Sequence, residues 1–231
     1  MVDIELILVV VEFALLAFTI ALLLLSGREW RGRVKLLNTL VATARVLTRQ
    51  EYFSMVKEAL DSAQESVHAV VTGSSPNDVD RPLVDGVLKA MSAAKRNGVK
   101  MSYLLPKSPE TLEMGSRLRN AGAEVRYNEG LIVSDLRYML VDGKYTAVGL
   151  PETTGESQPT RRGVLMKSET LTSLLMEHFN RLWTSGEDYR SYLTYVIMNL
   201  VEENNMLSPE TISCQLKVDA SEVREIIRLK K

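Results

Sequence analysis

Five residues near the middle of the chain have types and spacings that could bind or cleave a charged substrate. Asp135 and Arg137 are two positions apart, so on a β-strand their side chains lie on one face. Asp142, Gly149 and Glu152 follow at intervals that suit a strand, a turn and a second strand. A guanidinium can hold an anion through its planar fork. The segment therefore predicts a ligand site at which Arg137 and Glu152 are the candidate ligand-binding residues.

The spacing of these residues resembles the phospholipase D superfamily motif, which reads H-x-K-x4-D followed by x6-G-S-x-N. Asp142 and Gly149 match the aspartate and the glycine of the motif. Asp135 stands at the histidine position and Arg137 at the lysine position. In the family the histidine attacks phosphorus to form a covalent phosphohistidine, while the lysine cradles the phosphate. The resemblance therefore places an anion beside Arg137.

Three departures from the motif bear on catalysis. Asp135 is anionic at neutral pH, so it repels a phosphodiester and replaces imidazole poorly as a nucleophile. Leu150 and Glu152 stand where the family has serine and asparagine, which removes two neutral donors. We therefore assign no catalytic residue to the degenerate motif and expect a non-catalytic protein. An active phosphodiesterase or nuclease of the same superfamily is the alternative.

The resemblance extends beyond the motif. Phe179 and Trp183 resemble the F-x-x-x-W end of the family's final helix. It covers residues 51–187, about one half of the usual two-lobed enzyme, and implies a phospholipase-D-like α/β sandwich with a mixed sheet. A domain of half length also suggests a homodimer that rebuilds the two-lobed body.

Strands and helices alternate through this region, as an α/β fold requires. β-branched runs predict strands, and apolar residues at helical spacing predict helices. Asp142-Gly143 is a strong hairpin signal. The predicted strands span 66–72, 99–105, 124–127, 136–141, 145–150 and 163–167, and the predicted helices span 82–96, 108–120 and 169–183.

No other residue of the sequence is an obvious catalytic or metal-binding group. His68 in a predicted strand and His178 in a predicted helix are the only histidines. His68 is interpreted as structural and His178 as a surface or packing residue. Cys214 is the only cysteine, which excludes an intrachain disulfide, and it is interpreted as a small apolar filler. No P-loop, nucleophile elbow or metal-ligand spacing occurs in the sequence. We therefore expect no metal and no cofactor.

Residues 1–26 are predicted to form a transmembrane anchor. Twenty helical residues span roughly 30 Å, the thickness of the hydrocarbon core. Between Leu6 and Leu25 there are 15 Leu, Ile, Val or Phe residues, which contribute about −4.5 to −9 kcal/mol to insertion. One charged residue, Glu12, costs about 3 kcal/mol. A cleaved signal peptide is disfavoured because the first residues are acidic rather than basic.

The basic residues that follow the anchor predict its orientation. Arg28, Arg31, Arg33 and Lys35 lie on its C-terminal side, so the positive-inside rule places the N-terminus outside and the remaining chain in the cytoplasm. The expected location is therefore the cell membrane, and the lipid bilayer is a partner. Glu12 is either a contact for helix assembly or a tolerated protonated side chain. Residues 27–50 are predicted to be a juxtamembrane helix.

Residues 188–231 have the pattern of a small helix-turn-helix-like module. A helix over 189–203 is followed by a second helix capped by Ser208 with Pro209 at its first position. Asp219, with Glu222 three residues on, predicts a capping box for a final helix.

The final helix contains the candidate DNA-binding residues Arg224, Arg228, Lys230 and Lys231. Residues 189–231 nevertheless hold six basic and six acidic side chains, so affinity for phosphates is expected to be weak unless the charges segregate by face. A protein-interaction role for the module is equally compatible with the sequence. Across the whole chain, 28 basic and 29 acidic residues exclude a strongly basic nucleic-acid coat.

These observations give three hypotheses of function. The first is a membrane-tethered, non-catalytic phospholipase-D-like scaffold or ligand sensor, and the second is a phosphodiesterase or nuclease. The third is a membrane-tethered transcription regulator that binds DNA through residues 189–231.

Overall fold

A computed structural model describes residues 49–73, 76, 78, 80–131, 137–150, 162–204 and 207–229. These residues belong to one unit, Arg45–Lys231. Outside the described residues lie the anchor predicted at 1–26, nearly all of the predicted juxtamembrane helix, Asp135, Glu152, Lys230 and Lys231. Among the described helices, none has both the length and the apolar character needed to cross a membrane.

The described residues form strands and helices close to the predicted positions. The strands are β1 (Ser66–Val70), β2 (Lys100–Pro106), β3 (Glu124–Asn128), β4 (Arg137–Val141), β5 (Tyr145–Leu150), β6 (Arg162–Lys167) and β7 (Glu187–Asp188). The helices are α1 (Arg49–Ser62), α2 (Arg81–Arg96), α3 (Leu112–Asn120), α4 (Glu169–Thr184), α5 (Tyr189–Glu203), α6 (Pro209–Leu216) and α7 (Ala220–Leu229). A 3-10 turn, Pro109–Thr111, precedes α3.

The strands make one mixed sheet in the order β6-β5-β4-β1-β2-β3-β7. The central strands β1, β2 and β3 are parallel, since α2 and α3 connect them as crossovers. β4 pairs antiparallel with β1, and β5 and β6 continue as antiparallel hairpin strands. The mixed α/β sheet predicted from the order of elements is thus confirmed.

Helices cover both faces of this sheet, and we name the faces after them. On the α1 face, Met139, Val141 and Ala147 join a core that also receives side chains from α1, α2, α3 and α5–α7. On the α4 face, Tyr138 and Leu140 pack with side chains of α4. Alternate residues of each strand therefore enter different cores, as the pleat of a strand requires.

The C-terminal helices share the core of the α1 face. Leu193 of α5, Ile212 of α6 and Val223 of α7 are at most 1% exposed and pack in the same cluster as Leu105 and Tyr127 of the sheet. Burying each such aliphatic side chain contributes about 1.5–3 kcal/mol. The described helices of the predicted module therefore pack onto the α/β domain.

Two details of these helices differ from the predictions. Cys214 is exposed rather than an apolar filler, because α6 buries Ile212 and Leu216 on the opposite side. Glu222 does not complete a capping box: one carboxylate oxygen accepts from Arg119 and the other from the Tyr189 hydroxyl at 3.2 Å. This carboxylate therefore fixes α7 to α3 and α5 instead of capping its own helix.

Asp142 joins the β4–β5 hairpin to the start of β1. Asp142 and Gly143 have φ angles of 51° and 65°, which confirms the predicted tight turn. The carboxylate accepts backbone N–H groups of Gln64, Glu65 and Ser66 at 3.0, 2.8 and 2.9 Å. Burial raises the pKa of the Asp142 carboxyl, whereas the three N–H donors together lower it by a larger amount. The net pKa therefore lies below the usual value.

We expect Asp142→Asn to lower the free energy of unfolding by about 1–3 kcal/mol at neutral pH, because three N–H groups lose a charged acceptor. Asparagine tolerates the left-handed backbone conformation of position 142. The substitution therefore removes the charge of the side chain without straining the turn. The measurement is urea unfolding of the full chain followed by circular dichroism. Asp61→Asn, at an exposed position of α1, is the matched control.

The same comparison has a predicted pH dependence. Since the pKa of Asp142 is lowered by folding, its contribution is complete above the unfolded pKa of about 4 and is lost as the pH falls through the folded value. The difference between wild type and Asp142→Asn should therefore shrink below about pH 4. Equal stability of the two proteins at neutral pH would contradict the structural role of this carboxylate.

Candidate functional site

Arg137 and Gly149 lie side by side at the end of the sheet where the parallel strands finish. β4 runs against β1 with Tyr138 paired to Val70, so Arg137 begins β4 where β1 ends. Gly149 pairs with Arg137 across the β4–β5 ladder. Ligand sites of α/β sheets lie outside the carboxyl ends of the parallel strands. Two of the predicted motif positions therefore meet at an appropriate place for a ligand.

The guanidinium of Arg137 is half-buried on the α1 face. Arg137, Met139 and Val141 are every second residue of β4, so the Arg137 side chain lies on the same face as the other two. Within the described residues, its buried Nε atom has no hydrogen-bond partner. Burial lowers the pKa of Arg137, and the neighbouring Tyr52 hydroxyl acts in the opposite direction. A buried donor without an acceptor is costly, and an anionic ligand would remove that cost.

Tyr52 was not predicted to belong to this site. It lies on α1 and, with Val56 of the same helix, packs against the core that contains Met139. Burial raises the pKa of the Tyr52 hydroxyl, and the Arg137 charge lowers it, so the two groups interact. No spacing in the sequence connects positions 52 and 137, because their electrostatic interaction arises from the packing of α1 on the sheet.

Both histidines of the chain lie on the other side of the sheet. His68 pairs with Leu140 across β1 and β4, and its ring contacts the Phe179 ring at 5.1 Å between centroids. His178 is on α4, with its Nδ1 atom 2.8 Å from the Tyr138 hydroxyl oxygen. The α4 face therefore holds both imidazoles, while Arg137 is on the α1 face.

The electrostatic setting of these histidines favours the neutral form. Burial lowers the pKa of His68, whose Nδ1 atom has no hydrogen-bond partner among the described residues. Burial and, to a smaller extent, the Arg181 charge lower the pKa of His178. His68 packs against Phe179, and His178 packs against Tyr138.

The remaining motif positions divide into two groups. Asp142 is five residues along β4 from Arg137, which corresponds to about 17 Å. Its oxygens are occupied by the backbone of residues 64–66. It therefore stabilises the hairpin and cannot act on a ligand held by Arg137. Asp135 and Glu152 lie outside the described residues, as stated above.

Lys107, at the carboxyl end of β2, is the centre of a charged cluster that the sequence analysis also did not predict. Lys107 Nζ is 2.7 Å from Glu129 and 3.1 Å from Glu187, and it lies 5.7 Å from the centre of the Tyr195 ring. Hydrogen bonds to the two carboxylates raise the pKa of Lys107. Because its charge is already neutralised, Lys107 is a poor candidate for holding a phosphate. Its position two residues after a predicted strand was the available signal.

No metal site accompanies Arg137 in the part of the chain that the structure describes: there, no three His, Cys, Asp or Glu side chains converge.

The candidate DNA-binding residues of α7 that the structure describes, Arg224 and Arg228, are exposed. Arg224 Nε is 3.1 Å from a Glu210 oxygen, so part of its charge is balanced. Lys217, in the turn before α7, pairs with Glu113 of α3 at 3.0 Å. The helical pair is thus fixed to the domain by ion pairs as well as by its core.

No protein-family model and no curated protein sequence matches the chain. Solved structures do show likenesses of fold. The chain is similar to Nuc, a phospholipase D family member from Salmonella typhimurium, with 20% identity and a TM-score of 0.46 over 59% of this chain and 89% of that one. It is similar to NucT from Helicobacter pylori, with 15% identity and a TM-score of 0.43 over 60% and 91% of the two chains.

A third likeness is to TrmBL2, an archaeal chromatin protein with a novel mode of DNA binding. The identity is 19% and the TM-score is 0.45, over 77% of this chain and 69% of that one. At such identities and TM-scores, none of the three structures indicates which residues act in this chain. One of these structures, Nuc, is a member of the phospholipase D family, the family whose motif the sequence resembles.

Proposed function

We propose that the chain is a membrane-anchored, non-catalytic phospholipase-D-like protein that works as a homodimer and serves as a cytoplasmic scaffold or sensor of an anionic ligand. The observation that carries this proposal is the placement of the only two histidines, His68 and His178, on the α4 face, while Arg137 lies on the α1 face. An anion held by Arg137 would therefore have no imidazole beside it from the same chain.

Covalent catalysis at phosphorus requires a nucleophile within about 3–3.5 Å of the reacting atom. The sheet separates both imidazoles from Arg137, and rotation of side chains cannot bring them around β1 or β4. The sequence places aspartate at the histidine position of the motif. We therefore expect the half-buried guanidinium of Arg137 to bind an anion without turnover.

Helix α1 supports a sensor in particular. It begins where the predicted juxtamembrane helix ends, and its Tyr52 lies beside Arg137. A ligand that binds Arg137 would alter the contacts of Tyr52 and thereby the packing of α1. In this proposal, residues 1–26 hold the protein at the cell membrane, and α1 connects that anchor to the ligand site.

Inorganic phosphate is a suitable first probe of the ligand site. For the full chain in lipid nanodiscs, we expect Arg137→Ala to weaken phosphate binding about 10- to 100-fold, because a charge-assisted hydrogen bond is lost. Isothermal titration calorimetry measures the effect. Lys144→Ala, in the exposed turn at the opposite end of β4, should leave the affinity unchanged.

The same preparations distinguish binding from catalysis. We expect no hydrolysis of bis(para-nitrophenyl) phosphate by the wild-type chain. Turnover that Arg137→Ala abolishes and Lys144→Ala preserves would support the phosphodiesterase alternative. Phosphate affinity that is equal in wild type and Arg137→Ala would refute the proposed ligand site.

DNA binding through residues 189–231 is the second candidate function. It is favoured by the exposure of Ser221, Arg224 and Arg228, which are three or four residues apart and so share one face of α7. The ion pair between Arg224 and Glu210 weakens this case, as does the equal number of acidic and basic residues in the module.

We expect the full chain to bind DNA only weakly, without sequence preference and only at low salt. Gel-shift titrations at several salt concentrations test this, with Arg224→Ala/Arg228→Ala as the variant and Arg96→Ala, at the exposed end of α2, as the control. A sequence-selective shift at physiological salt that only the double variant loses would establish the transcription-regulator hypothesis instead.

A further inference from the structure

Helix α4 packs on the sheet through an interface that contains both histidines of the chain. Among the described residues, α4 supplies every helical side chain of the core on its face, including Phe179. The His68 ring of β1 lies 5.1 Å from the Phe179 ring, and the His178 ring of α4 lies 5.9 Å from the Tyr138 ring of β4. Because an imidazole gains a proton near pH 6.5, the charge of this interface changes in mildly acidic solution.

The surroundings of His68 are unfavourable for a second proton. Its Nδ1 atom is buried and has no hydrogen-bond partner in the part of the chain that the structure describes. The residue paired with it on β4 is Leu140, and the side chain of α4 that contacts it is Phe179. Protonation would leave a charged N–H group buried without an acceptor beside these apolar side chains, which is costly.

His178, by contrast, can keep its hydrogen bond when it is protonated. Its Nδ1 atom is 2.8 Å from the Tyr138 hydroxyl oxygen, which is also 3.3 Å from the Leu175 carbonyl oxygen. In the neutral form of His178 the hydroxyl donates to Nδ1. After protonation Nδ1 donates to the hydroxyl oxygen, and the hydroxyl donates to the Leu175 carbonyl instead. His68 is therefore the more acid-sensitive of the two.

The charged groups around His68 are already partnered or exposed. β2, β3 and the turn after β4 place three such groups on this face, and a fourth, Arg126, is on β3 one row further along: Lys100, Glu124 and Asp142. Arg126 and Glu124 pair with each other at 3.2 Å, and Asp142 accepts backbone N–H groups. Lys100 is exposed, as are Glu177 and Arg181 of α4. Burial alone lowers the pKa of His68, so none of these charges compensates a proton on it.

We propose that α4 is an acid-sensitive switch: protonation of His68 releases α4 from the sheet and exposes the apolar core of the α4 face, while the rest of the domain stays folded. The core of the α1 face contains neither histidine, so acid of this strength leaves it intact. The inference goes beyond the proposed function and does not depend on anion binding at Arg137.

The sign of the pH dependence follows from the burial of His68. Folding lowers its pKa below the unfolded value of about 6.5, so the unfolded state binds the proton more tightly. The packing of α4 is therefore at full strength above about pH 6.5 and weakens as the pH falls from there toward the folded pKa. Ordinary carboxyl groups titrate near pH 4, which separates their effects from that of His68.

Trp183 of α4 is a built-in reporter of this interface. Its ring stacks on Phe179 at 5.3 Å, and the Arg126 guanidinium lies 4.6 Å from its centre. Trp30→Phe removes the only other tryptophan, so that the emission of the full chain in detergent comes from Trp183 alone. From about pH 7.5 to about pH 5 we expect the emission to shift to longer wavelength and quenching by acrylamide to increase, with the far-ultraviolet circular dichroism unchanged.

Two substitutions in the Trp30→Phe background assign the change to His68. His68→Gln cannot take up a proton and should abolish the change in emission, whereas His178→Gln should retain it. Circular dichroism at about pH 7.5 confirms that each variant is folded. His68→Leu, which also cannot be protonated, is the second variant should His68→Gln fail to fold.

A change in emission that substitution of His68 removes and His178→Gln retains supports the switch. Emission that does not change down to about pH 5 overturns it. The same conclusion follows if the change persists without His68 or is lost in His178→Gln. Loss of the circular dichroism signal over the same pH range also overturns the proposal, because acid then unfolds the whole domain rather than releasing α4.

Discussion

Successive side chains of a β-strand point to opposite faces of the sheet, and in this chain that alternation decides which groups can act together. β1 and β4 are neighbours, so their paired residues share a face. His68 shares the α4 face with Leu140, while Arg137 shares the α1 face with Met139. A displacement of either strand by one residue would exchange the faces and disrupt both cores. The separation of the histidines from Arg137 is therefore built into the packing of the fold.

The same arrangement gives Arg137 its particular environment. A half-buried guanidinium with an unpartnered Nε atom among the described residues loses hydration that the fold does not fully replace. Such a group is retained at a cost to stability, and an anion is the partner that would offset this cost. The Tyr52 hydroxyl of α1 interacts electrostatically with Arg137, which links the first described helix to the candidate site. In the proposed sensor, this link would carry the effect of a bound anion to α1.

Local patterns in the sequence predicted most of the fold. The β-branched runs, the Asp142-Gly143 turn and the Ser208-Pro209 cap all act over a few residues, and the structure contains each of them. Features that depend on packing between distant elements could not be predicted in this way. Tyr52 interacts with Arg137 only because α1 packs on the sheet, and Glu222 binds Arg119 only because α7 packs in the same core as α3 and α5. The exposure of Cys214 likewise depends on which side of α6 meets the core.

In the proposed function, no histidine of this chain acts as a nucleophile at phosphorus. Intact-mass spectrometry of the full chain after incubation with a phosphodiester, quenched at alkaline pH to preserve phosphohistidine, tests this directly. We expect an unchanged protein mass at every time point. A covalent phosphoryl adduct that maps to His68 or His178 would contradict it.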